Sequence, residues 1–268
     1  MNIFSISVEN DEFQIITSLK LNRIKRKKSN EIFIEGIECI KQAMDSKIEI
    51  TRIIIKDFYA LSDWGKSVIK KYEDKKIIEM SKELYNTLCD KENPSELLVT
   101  AQIKQNKLEE FDTKNPFVLL FDRPSDYGNL GSIIRSANAF NIDAIFIMGH
   151  GIDIYEPKVI RASLGSIFLT KIINIESMEV LEKYIQEQKT KNNIKIIGTD
   201  SAGDTSIKSE KLNKPIMVII GNEAKGMSIG LKKLCDKIIK IPIEGSINSL
   251  NVSCAASIVM WEVYKNEL

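Results

Sequence analysis

Beyond about residue 115, apolar and polar positions follow the pattern of strands that alternate with helices. Short apolar runs typical of buried strands occur at residues 118–121, 144–148, 167–172, 194–199, 217–220 and 238–241. Helical spacing separates most of these runs, most clearly in the apolar set Leu130, Ile133, Ile134, Ala137 and Phe140. This alternation predicts an α/β fold with a mainly parallel sheet, whose ligands bind at the carboxyl ends of the strands.

Residues 31–103 carry shorter β-branched runs and predict a separate, small α/β domain. The runs lie at residues 52–56, 76–79 and 97–103, and residues 37–44 have helical spacing. A polar stretch at residues 104–115 precedes Pro116 and a strongly apolar run, which predicts a linker. We therefore predict two domains, at residues 1–111 and 112–268.

Composition narrows the class of protein. Of the 268 residues, 43% are hydrophobic and 28% are charged, a balance typical of globular domains. The apolar runs are far shorter than the ~20 residues of a membrane-spanning helix, and the amino terminus lacks the pattern of a signal peptide. The four cysteines are widely spaced and His150 is the single histidine. We therefore expect a cytoplasmic protein without a metal site or a disulfide framework.

Charge is balanced over the whole chain but clustered at one place. The formal net charge is +1, yet six of the nine residues from 20 to 28 are basic, among them Lys25, Arg26, Lys27 and Lys28. Such a density is suited to an RNA phosphate backbone, because neutralising phosphates releases counterions. A solvated helix face is the alternative interpretation.

Polar, glycine-containing turns follow three of the predicted strands. The first leads into a helix at Asn129, with Arg135 further along; Gly128 and Gly131 match neither the dinucleotide nor the Walker spacing. Arg135 on an otherwise apolar helix indicates either a structural ion pair or a contact to a phosphate or ribose.

The other two turns have equally plain alternatives. One runs from Gly221 to Gly226 and includes Asn222 and Glu223, where glycine allows close approach of a ligand or simply an ordinary turn. The last passes Gly245 before a helix that begins near Ser249, which is also a common helix cap. Three such turns at strand ends favour convergence on one small molecule.

In these segments the sequence resembles the SpoU, or TrmH-type, branch of the SPOUT RNA methyltransferases. Three signature motifs occur in the family's order, at Asn129, Gly131 and Arg135, then at Gly221, Asn222, Glu223 and Gly226, and finally at Ser249, Leu250 and Asn251. The stretch with Arg161, Ser163 and Gly165 is similar to a further family turn. The region of Glu35 and Gly36 is similar to the family's ribosomal-protein-like RNA-binding domain. One departure is Tyr127, which follows Asp126 where the family commonly has proline.

The resemblance implies a fold, a methyl donor and partners. The carboxy-terminal domain would contain a deep trefoil knot and bind S-adenosylmethionine, largely through backbone contacts, at Thr199, Gly221, Ile241 and Leu250. The protein would act as a homodimer. RNA, ribosomal more readily than transfer RNA, would be held by Lys25, Arg26, Lys27, Lys28 and Arg161.

The implied reaction is methylation of a ribose 2′-hydroxyl. Its catalytic group would comprise Asn129, Arg135, Glu223, Ser249 and Asn251. Arg135 would contact phosphate and stabilise developing charge, while the other four orient the ribose and one another. The alternatives are a SPOUT methyltransferase that acts on a base, a non-catalytic RNA-binding relative, and an antibiotic-resistance methylase with the same chemistry on another target.

Overall fold

The computed structural model describes residues 3–90, 94–103 and 105–268, and these form two compact units. The first unit comprises the chain up to residue 104 together with Tyr155–Phe168; the second comprises Gln105–Ile154 and Leu169–Leu268. The division after residue 104 falls at the start of the predicted linker, seven residues before the predicted boundary. The structure differs from the prediction more clearly at Tyr155–Phe168, which the sequence placed in the second domain.

The first unit contains a mixed five-stranded sheet. Its strands are β1 (Ile3–Ile6), β2 (Glu31–Glu35), β3 (Ile50–Ile55), β4 (Lys76–Met80) and β5 (Leu97–Gln102), in the order β1-β4-β3-β5-β2. Strands β1, β4 and β3 are parallel, whereas β5 is antiparallel to both of its neighbours. Strands β3, β4 and β5 match the predicted runs, while β1 and β2 were not predicted.

Five helices of the first unit precede residue 100. They are α1 (Asp11–Leu21), α2 (Arg23–Ser29), α3 (Ile37–Asp45), α4 (Asp63–Lys71) and α5 (Lys82–Leu88). Asparagine or serine side chains cap four of them: Asn10, Asn22, Ser62 and Ser81 each accept a hydrogen bond from a backbone N–H of the first turn. Local capping therefore fixes where these helices begin.

The second unit contains the predicted parallel sheet. Its strands are β6 (Phe117–Asp122), β7 (Ala144–Met148), β8 (Ile172–Ile175), β9 (Lys195–Thr199), β10 (Thr205–Ser206), β11 (Ile216–Ile220) and β12 (Lys237–Lys240). Their order is β10-β12-β9-β11-β6-β7-β8, and all neighbouring strands in this order pair in parallel. The α/β class and the mainly parallel sheet are confirmed, while the trefoil knot stays a prediction.

Helices accompany this sheet as the apolar spacing predicts. In the second unit they are α6 (Tyr127–Ala139), α8 (Met178–Asn192), α9 (Ile229–Leu234) and α10 (Val252–Lys265), while α7 (Pro157–Ala162) lies in the first unit. Leu130, Ile133, Ile134 and Ala137 form the buried face of α6. Within the described residues no helix is long and apolar enough to cross a membrane.

The predicted strand at residues 167–172 is wrong. A 3-10 helix covers Ser166–Phe168, and β8 begins only at Ile172. The preceding turn places Leu164 and Gly165 at positive φ, 48° and 80°. A Cβ at Gly165 would lie 2.9 Å from the Cα of Cys39, so the backbone turns sharply against α3 instead of extending.

Candidate methyl-donor and catalytic site

The second unit has a cavity at the carboxyl ends of β9, β11 and β12. Its volume is about 350 Å³, within the range of small-molecule sites. All four residues predicted to hold the methyl donor line it: Thr199, Gly221, Ile241 and Leu250. The structure therefore brings residues from separate segments of the chain together at the edge of the sheet where a parallel fold binds ligands.

The cavity wall suits a ligand with a flat apolar part and a few polar groups. Ile220, Ile239 and Val259 supply apolar surface, and Asp200 and Ser201 add polar groups. S-adenosylmethionine has this character, since its adenine is flat and its ribose and amino-acid ends form hydrogen bonds. The residues present fit the donor.

The turn after β11 is built tightly on glycine. Backbone hydrogen bonds of 3.1 and 2.9 Å join Asn222 and Gly226 in both directions, and Gly226 has a φ of 64°. A Cβ on Gly221 would lie 2.4 Å from the backbone nitrogen of Met227, closer than real Cβ contacts come. Glycine at 221 is therefore required to close the turn beside the cavity.

Glu223 connects this turn with the loop before α6. Its carboxylate accepts hydrogen bonds from the Ser125 hydroxyl at 2.6 Å, the Ser125 N–H at 3.1 Å and the Asp126 N–H at 3.2 Å. Asn222 adds a bond from its side-chain amide to the carbonyl oxygen of Arg123 at 2.7 Å. The structure thus gives Glu223 a positioning contact between the first and second motifs, in addition to its place in the cavity wall.

A direct hydrogen bond links the first and third motifs. The Asn251 amide donates to the side-chain oxygen of Asn129 at 2.9 Å. Asp126 caps α6 by accepting from the Asn129 N–H at 2.7 Å, and Asn251 caps α10 by accepting from the Ser253 N–H at 2.8 Å. The two helix entrances are therefore held together by the side chains predicted to orient the ribose.

Packing between α6 and α10 fixes this arrangement. The hydroxyls of Ser136 and Ser257 lie 2.8 Å apart. Further along, the ring of Phe140 contacts Trp261 and Tyr264 at centroid distances of 5.9 and 5.7 Å. Small polar contacts near the entrances and aromatic contacts near the far ends keep the helices in register.

Arg135 lies on the exposed face of α6. Within the described residues its guanidinium has no hydrogen-bond or ion-pair partner. The sequence argument that a buried arginine needs a partner therefore does not apply, and neither does the structural ion pair. Its contact with RNA phosphate stays a prediction, and Arg135 does not line the cavity.

Ser249 lines the cavity from the segment before α10 and is exposed. Of the five predicted catalytic residues, Glu223 and Ser249 thus face the cavity, while Asn129 and Asn251 are joined beside it. The structure brings four of the five into one region of hydrogen bonds and shared walls.

Sequence reasoning missed two acidic residues at strand ends. Asp200 lines the cavity, and its carboxylate accepts from Lys232 at 2.6 Å and from the Ala202 N–H at 3.0 Å. The hydrogen bond from Lys232 is the main reason that the pKa of Asp200 is lowered. Its place directly after Thr199 at the end of a strand was the available signal.

Asp122 is the other missed residue, and it organises the end of β6. It is 2% exposed, pairs with Arg123 at 2.8 Å and accepts from the Ser228 N–H at 2.8 Å. The hydrogen bond to Asp122 raises the pKa of Arg123, whose guanidinium also donates to the carbonyl oxygen of Gly226 at 3.3 Å. The pair therefore stabilises the glycine turn that forms part of the cavity wall.

The predicted RNA-binding residues fall into two groups in the first unit. Lys27 and Lys28 are exposed on α2 and Lys25 is half-buried, as a phosphate contact requires. Arg26 corrects the prediction: it is 1% exposed, donates to the carbonyl oxygens of Leu19 and Lys20 at 2.9 Å each, and pairs with Glu156. Because α2 turns this side chain inward, Arg26 is a structural residue.

Arg161 is also held by protein groups. It pairs with Glu35 at 3.0 Å and with Asp90 at 2.8 Å, and Asp90 in turn pairs with Lys20 at 2.7 Å. All four residues belong to the first unit. The carboxylates of Glu35 and Asp90 balance the positive charge of Arg161, and the two pairs attach α7 to the rest of the first unit.

Fold and cavity together define a parallel α/β enzyme whose small-molecule site adjoins two capped helix entrances. Family models identify it further. The SpoU rRNA Methylase family matches residues 116–261, and the SpoU L30e-like domain matches residues 10–99. The chain belongs to the SpoU rRNA methylase family, which confirms the resemblance seen in the three motifs.

Individual relatives match nearly the whole chain. A 23S rRNA (uridine(2479)-2′-O)-methyltransferase of Streptomyces viridochromogenes is 30% identical, over 98% of this chain and 92% of that protein. The 23S rRNA (guanosine(2553)-2′-O)-methyltransferase RlmP of Bacillus subtilis is 26% identical, over 89% and 90%. The crystal structure of the SpoU methyltransferase AviRb from Streptomyces viridochromogenes, in complex with AdoMet, has a TM-score of 0.89 at 30% identity and covers 97% of this chain and 98% of that one.

Proposed function

We propose that this protein transfers a methyl group from S-adenosylmethionine to a ribose 2′-hydroxyl of ribosomal RNA. The single observation that carries the proposal is the cavity at the ends of β9, β11 and β12, where the four donor residues inferred from the sequence meet. Relatives that match almost the whole chain are named as 23S rRNA 2′-O-methyltransferases. The proposed site of action is the cytoplasm.

Donor binding uses both the backbone and the apolar wall of the cavity. The turn at Gly221 exposes backbone groups, Ile241 and Leu250 provide apolar surface, and the Thr199 hydroxyl is held by the carbonyl oxygen of Ile219 at 3.0 Å. The donor, when bound, supplies a methyl group already activated by its sulfonium. The protein therefore needs chiefly to align the ribose oxygen and to stabilise its developing charge.

The hydrogen bonds between the three motifs would align the ribose oxygen with the methyl donor. The Asn129–Asn251 bond and the contacts of Glu223 with the loop before α6 give the catalytic region a fixed shape. Ser249 lies in the cavity wall and would contact the ribose. Preorganised groups of this kind need not rearrange during the reaction, which lowers the barrier.

Arg135 is proposed to act on charge. A guanidinium stays protonated at neutral pH, so electrostatic stabilisation and phosphate contact are chemically simpler than proton abstraction. Its exposed position on α6 leaves it accessible to RNA. It would hold the target nucleotide and stabilise negative charge on the ribose oxygen, whose proton passes to solvent as the methyl group is transferred.

We also propose that the protein works as a homodimer through the exposed side of α10. Ile258 and Trp261 on that side are 37% and 43% exposed, and a second copy would cover them. Light scattering of the wild type and of Ile258→Glu tests this: the wild type should have twice the chain mass and the variant should shift toward the monomer. A monomeric wild type contradicts the dimer alone.

The first experiment is a label-transfer assay. The protein is incubated with methyl-labelled S-adenosylmethionine and deproteinised 23S, 16S or transfer RNA, and the labelled RNA is digested to nucleosides. We expect a 2′-O-methyl nucleoside from the 23S fraction. Label on a base would favour the base-methylating alternative. Donor binding without transfer to any of these RNAs would favour a non-catalytic relative.

A further inference from the structure

Arg123, the residue directly after β6, has an unfavourable backbone conformation. Its φ is 47°, in the left-handed region that residues other than glycine rarely adopt. Its N–H donates to the carbonyl oxygen of Met148 at the end of the neighbouring strand β7, at 2.8 Å. Such a conformation persists only where the surrounding contacts hold it, and it is often found where function requires an unusual geometry.

A glycine provides the space for the Arg123 side chain. Gly149 follows β7 directly and has a φ of 78°. A Cβ at this position would lie 2.7 Å from the Cγ of Arg123, closer than real Cβ contacts come. Two residues at the ends of neighbouring strands thus adopt left-handed conformations, and the arginine side chain fits only because the second of them is glycine.

The guanidinium of Arg123 forms a fork between β6 and the glycine turn after β11. Its Nε and Nη2 atoms donate to the two carboxylate oxygens of Asp122 at 2.8 Å each, and Nη2 also donates to the carbonyl oxygen of Gly226 at 3.3 Å. Asp122 in turn accepts from the Ser228 N–H at 2.8 Å. The chain is therefore held on both sides of Met227, the residue against which the turn at Gly221 closes.

The backbone of Arg123 holds a second point of the same turn. Its carbonyl oxygen accepts from the side-chain amide of Asn222 at 2.7 Å. Asn222 and Gly226 line the donor cavity, whereas Arg123 lies outside its wall. Arg123 thus contacts the wall through both its backbone and its side chain without facing the cavity. A residue in this place acts on a ligand through the shape of the wall.

We propose that Arg123 is a positioning residue for the methyl donor, and that the fork of its guanidinium holds the glycine turn in the shape that binds S-adenosylmethionine. The inference rests on the proposed function, because it takes S-adenosylmethionine as the donor. A guanidinium donates in several directions from one rigid plane, whereas a lysine has the same charge on a single nitrogen. Arg123→Lys therefore keeps the charge that balances Asp122 but loses the fork that also reaches Gly226.

The test compares full-length wild type, Arg123→Lys, Arg123→Ala and Arg52→Lys. Arg52 is the matched control, because its guanidinium also bonds two groups, the carboxylates of Glu12 and Glu31, but in the first unit. Titration calorimetry gives the dissociation constant for S-adenosylmethionine. Methyl transfer to deproteinised 23S ribosomal RNA gives kcat and the KM for the donor, and urea unfolding measures the stability of each protein.

We expect Arg123→Lys to bind S-adenosylmethionine about 5-fold more weakly, the effect of one lost hydrogen bond. The KM for the donor should rise to match, while kcat at saturating donor should stay at the wild-type value. Arg123→Ala should bind the donor still more weakly and also unfold more easily, because it leaves the carboxylate of Asp122 buried without its cation. Arg52→Lys should bind the donor as the wild type does, whatever its stability.

Wild-type donor affinity in Arg123→Lys overturns the inference. A lower kcat in Arg123→Lys at saturating donor also overturns it, because the effect would then lie in the chemical step. An equal loss of donor affinity in Arg52→Lys does the same, since the cause would not be specific to the turn. A wild type that does not bind S-adenosylmethionine overturns the proposed function as well, whereas a wild type that binds it no more tightly than Arg123→Lys overturns this inference alone.

Discussion

At the entrance of α10, the side chain of Asn251 uses both ends of its amide. Its oxygen caps the helix by accepting from Ser253, and its nitrogen donates to Asn129. The first contact contributes stability, and the second contributes the geometry of the proposed ribose site. Substitutions at this position therefore separate the two contributions.

Asn251→Ser should lower kcat but not stability. Serine caps helices about as well as asparagine but does not reach Asn129, so we expect the free energy of unfolding to stay within about 0.5 kcal/mol. Loss of alignment should reduce kcat by about 10- to 100-fold. Asn251→Ala serves as the comparison, with a further loss of about 1 kcal/mol from the missing cap. Urea unfolding and methyl-transfer kinetics measure both, and wild-type kcat in Asn251→Ser would contradict the orienting role.

Arg135→Ala should lower activity without affecting stability, whereas replacing a structural residue would lower stability. The side chain is exposed, so the unfolding temperature and donor affinity should not change. Loss of charge stabilisation should reduce kcat by about 100-fold, and Arg135→Lys, which keeps the charge without the planar fork, should lie between. Calorimetry with S-adenosylmethionine and single-turnover assays provide the measurements. Full turnover in Arg135→Ala would remove this residue from the mechanism.

Residue identity predicted most of the site but not the direction of side chains. The resemblance to the family's three motifs pointed to Glu223, Asn129 and Asn251, and the structure places these residues in a turn and at two helix entrances. The sequence placed Arg26 among RNA contacts, because a dense basic run does not reveal which side chain the helix turns inward. Only the fold brings Glu156 to meet that arginine.

Among the elements, the turn after β11 is the most sensitive to a single added carbon. The turn closes against the backbone of Met227, which cannot move aside as a flexible side chain can. Its shape sets one wall of the donor cavity. A glycine elsewhere in the same unit provides the contrast.

Gly221→Ala should destabilise the protein and weaken donor binding. The added Cβ would lie 2.4 Å from the Met227 nitrogen, and the forced shift should cost about 1–3 kcal/mol. Gly245→Ala is the control, since nothing lies within 4 Å of the Cβ it would add. Chemical unfolding and the dissociation constant for S-adenosylmethionine are the readouts. Equal effects of the two substitutions would show that the turn is not the cause.

Helix α2 should divide into an RNA-facing side and a buried side. Replacing Lys25, Lys27 and Lys28 with glutamine should leave stability unchanged and lower the slope of log affinity against log salt by about 0.7–0.9 for each phosphate that is no longer neutralised. Arg26→Gln should instead cost about 3 kcal/mol of unfolding free energy, because it removes one partner of a largely buried pair. Filter binding across a salt series and urea unfolding distinguish them. An unchanged salt slope in the triple variant would contradict RNA binding by these three lysines.

Strands and helices were predicted correctly where the apolar pattern continues over many residues, and wrongly where a turn interrupts it. The parallel strands and α6 have sustained apolar patterns that tertiary packing reinforces. The apolar residues at 167–172 looked like a strand, but positive φ at Leu164 and Gly165 bends the chain just before them. Strand β2 begins and ends with glutamates, Glu31 and Glu35, whose burial depends on pairs with Arg52 and Arg161 that form only in the folded protein.

Across the whole molecule, ion-paired carboxylates in both units make stability dependent on acid. Burial raises the pKa of Asp90, but hydrogen bonds and charges from Lys20 and Arg161 outweigh it and lower the pKa overall. In the second unit the hydrogen bond from Lys232 lowers the pKa of Asp200. A carboxyl with a lowered folded-state pKa contributes stability above its unfolded pKa of about 3.9 and loses it as the pH falls through the folded value.

The free energy of unfolding should therefore be level above about pH 5 and fall below about pH 4. Asp90→Asn and Asp200→Asn should each flatten part of that fall and cost about 1 kcal/mol or less at neutral pH, because both pairs are partly exposed. Urea unfolding between neutral pH and about pH 3 measures the profile. A profile identical in both variants and the wild type would contradict the assignment.

The return of Tyr155–Phe168 to the first unit has a consequence for synthesis. When residues 1–104 leave the ribosome, Arg26 lacks Glu156, and Asp90 and Glu35 lack Arg161. Residues 105–154 of the other unit must be translated before these partners emerge. The first unit is therefore completed only after residues 105–154 of the second unit have been synthesised, although most of its own residues come earlier in the chain.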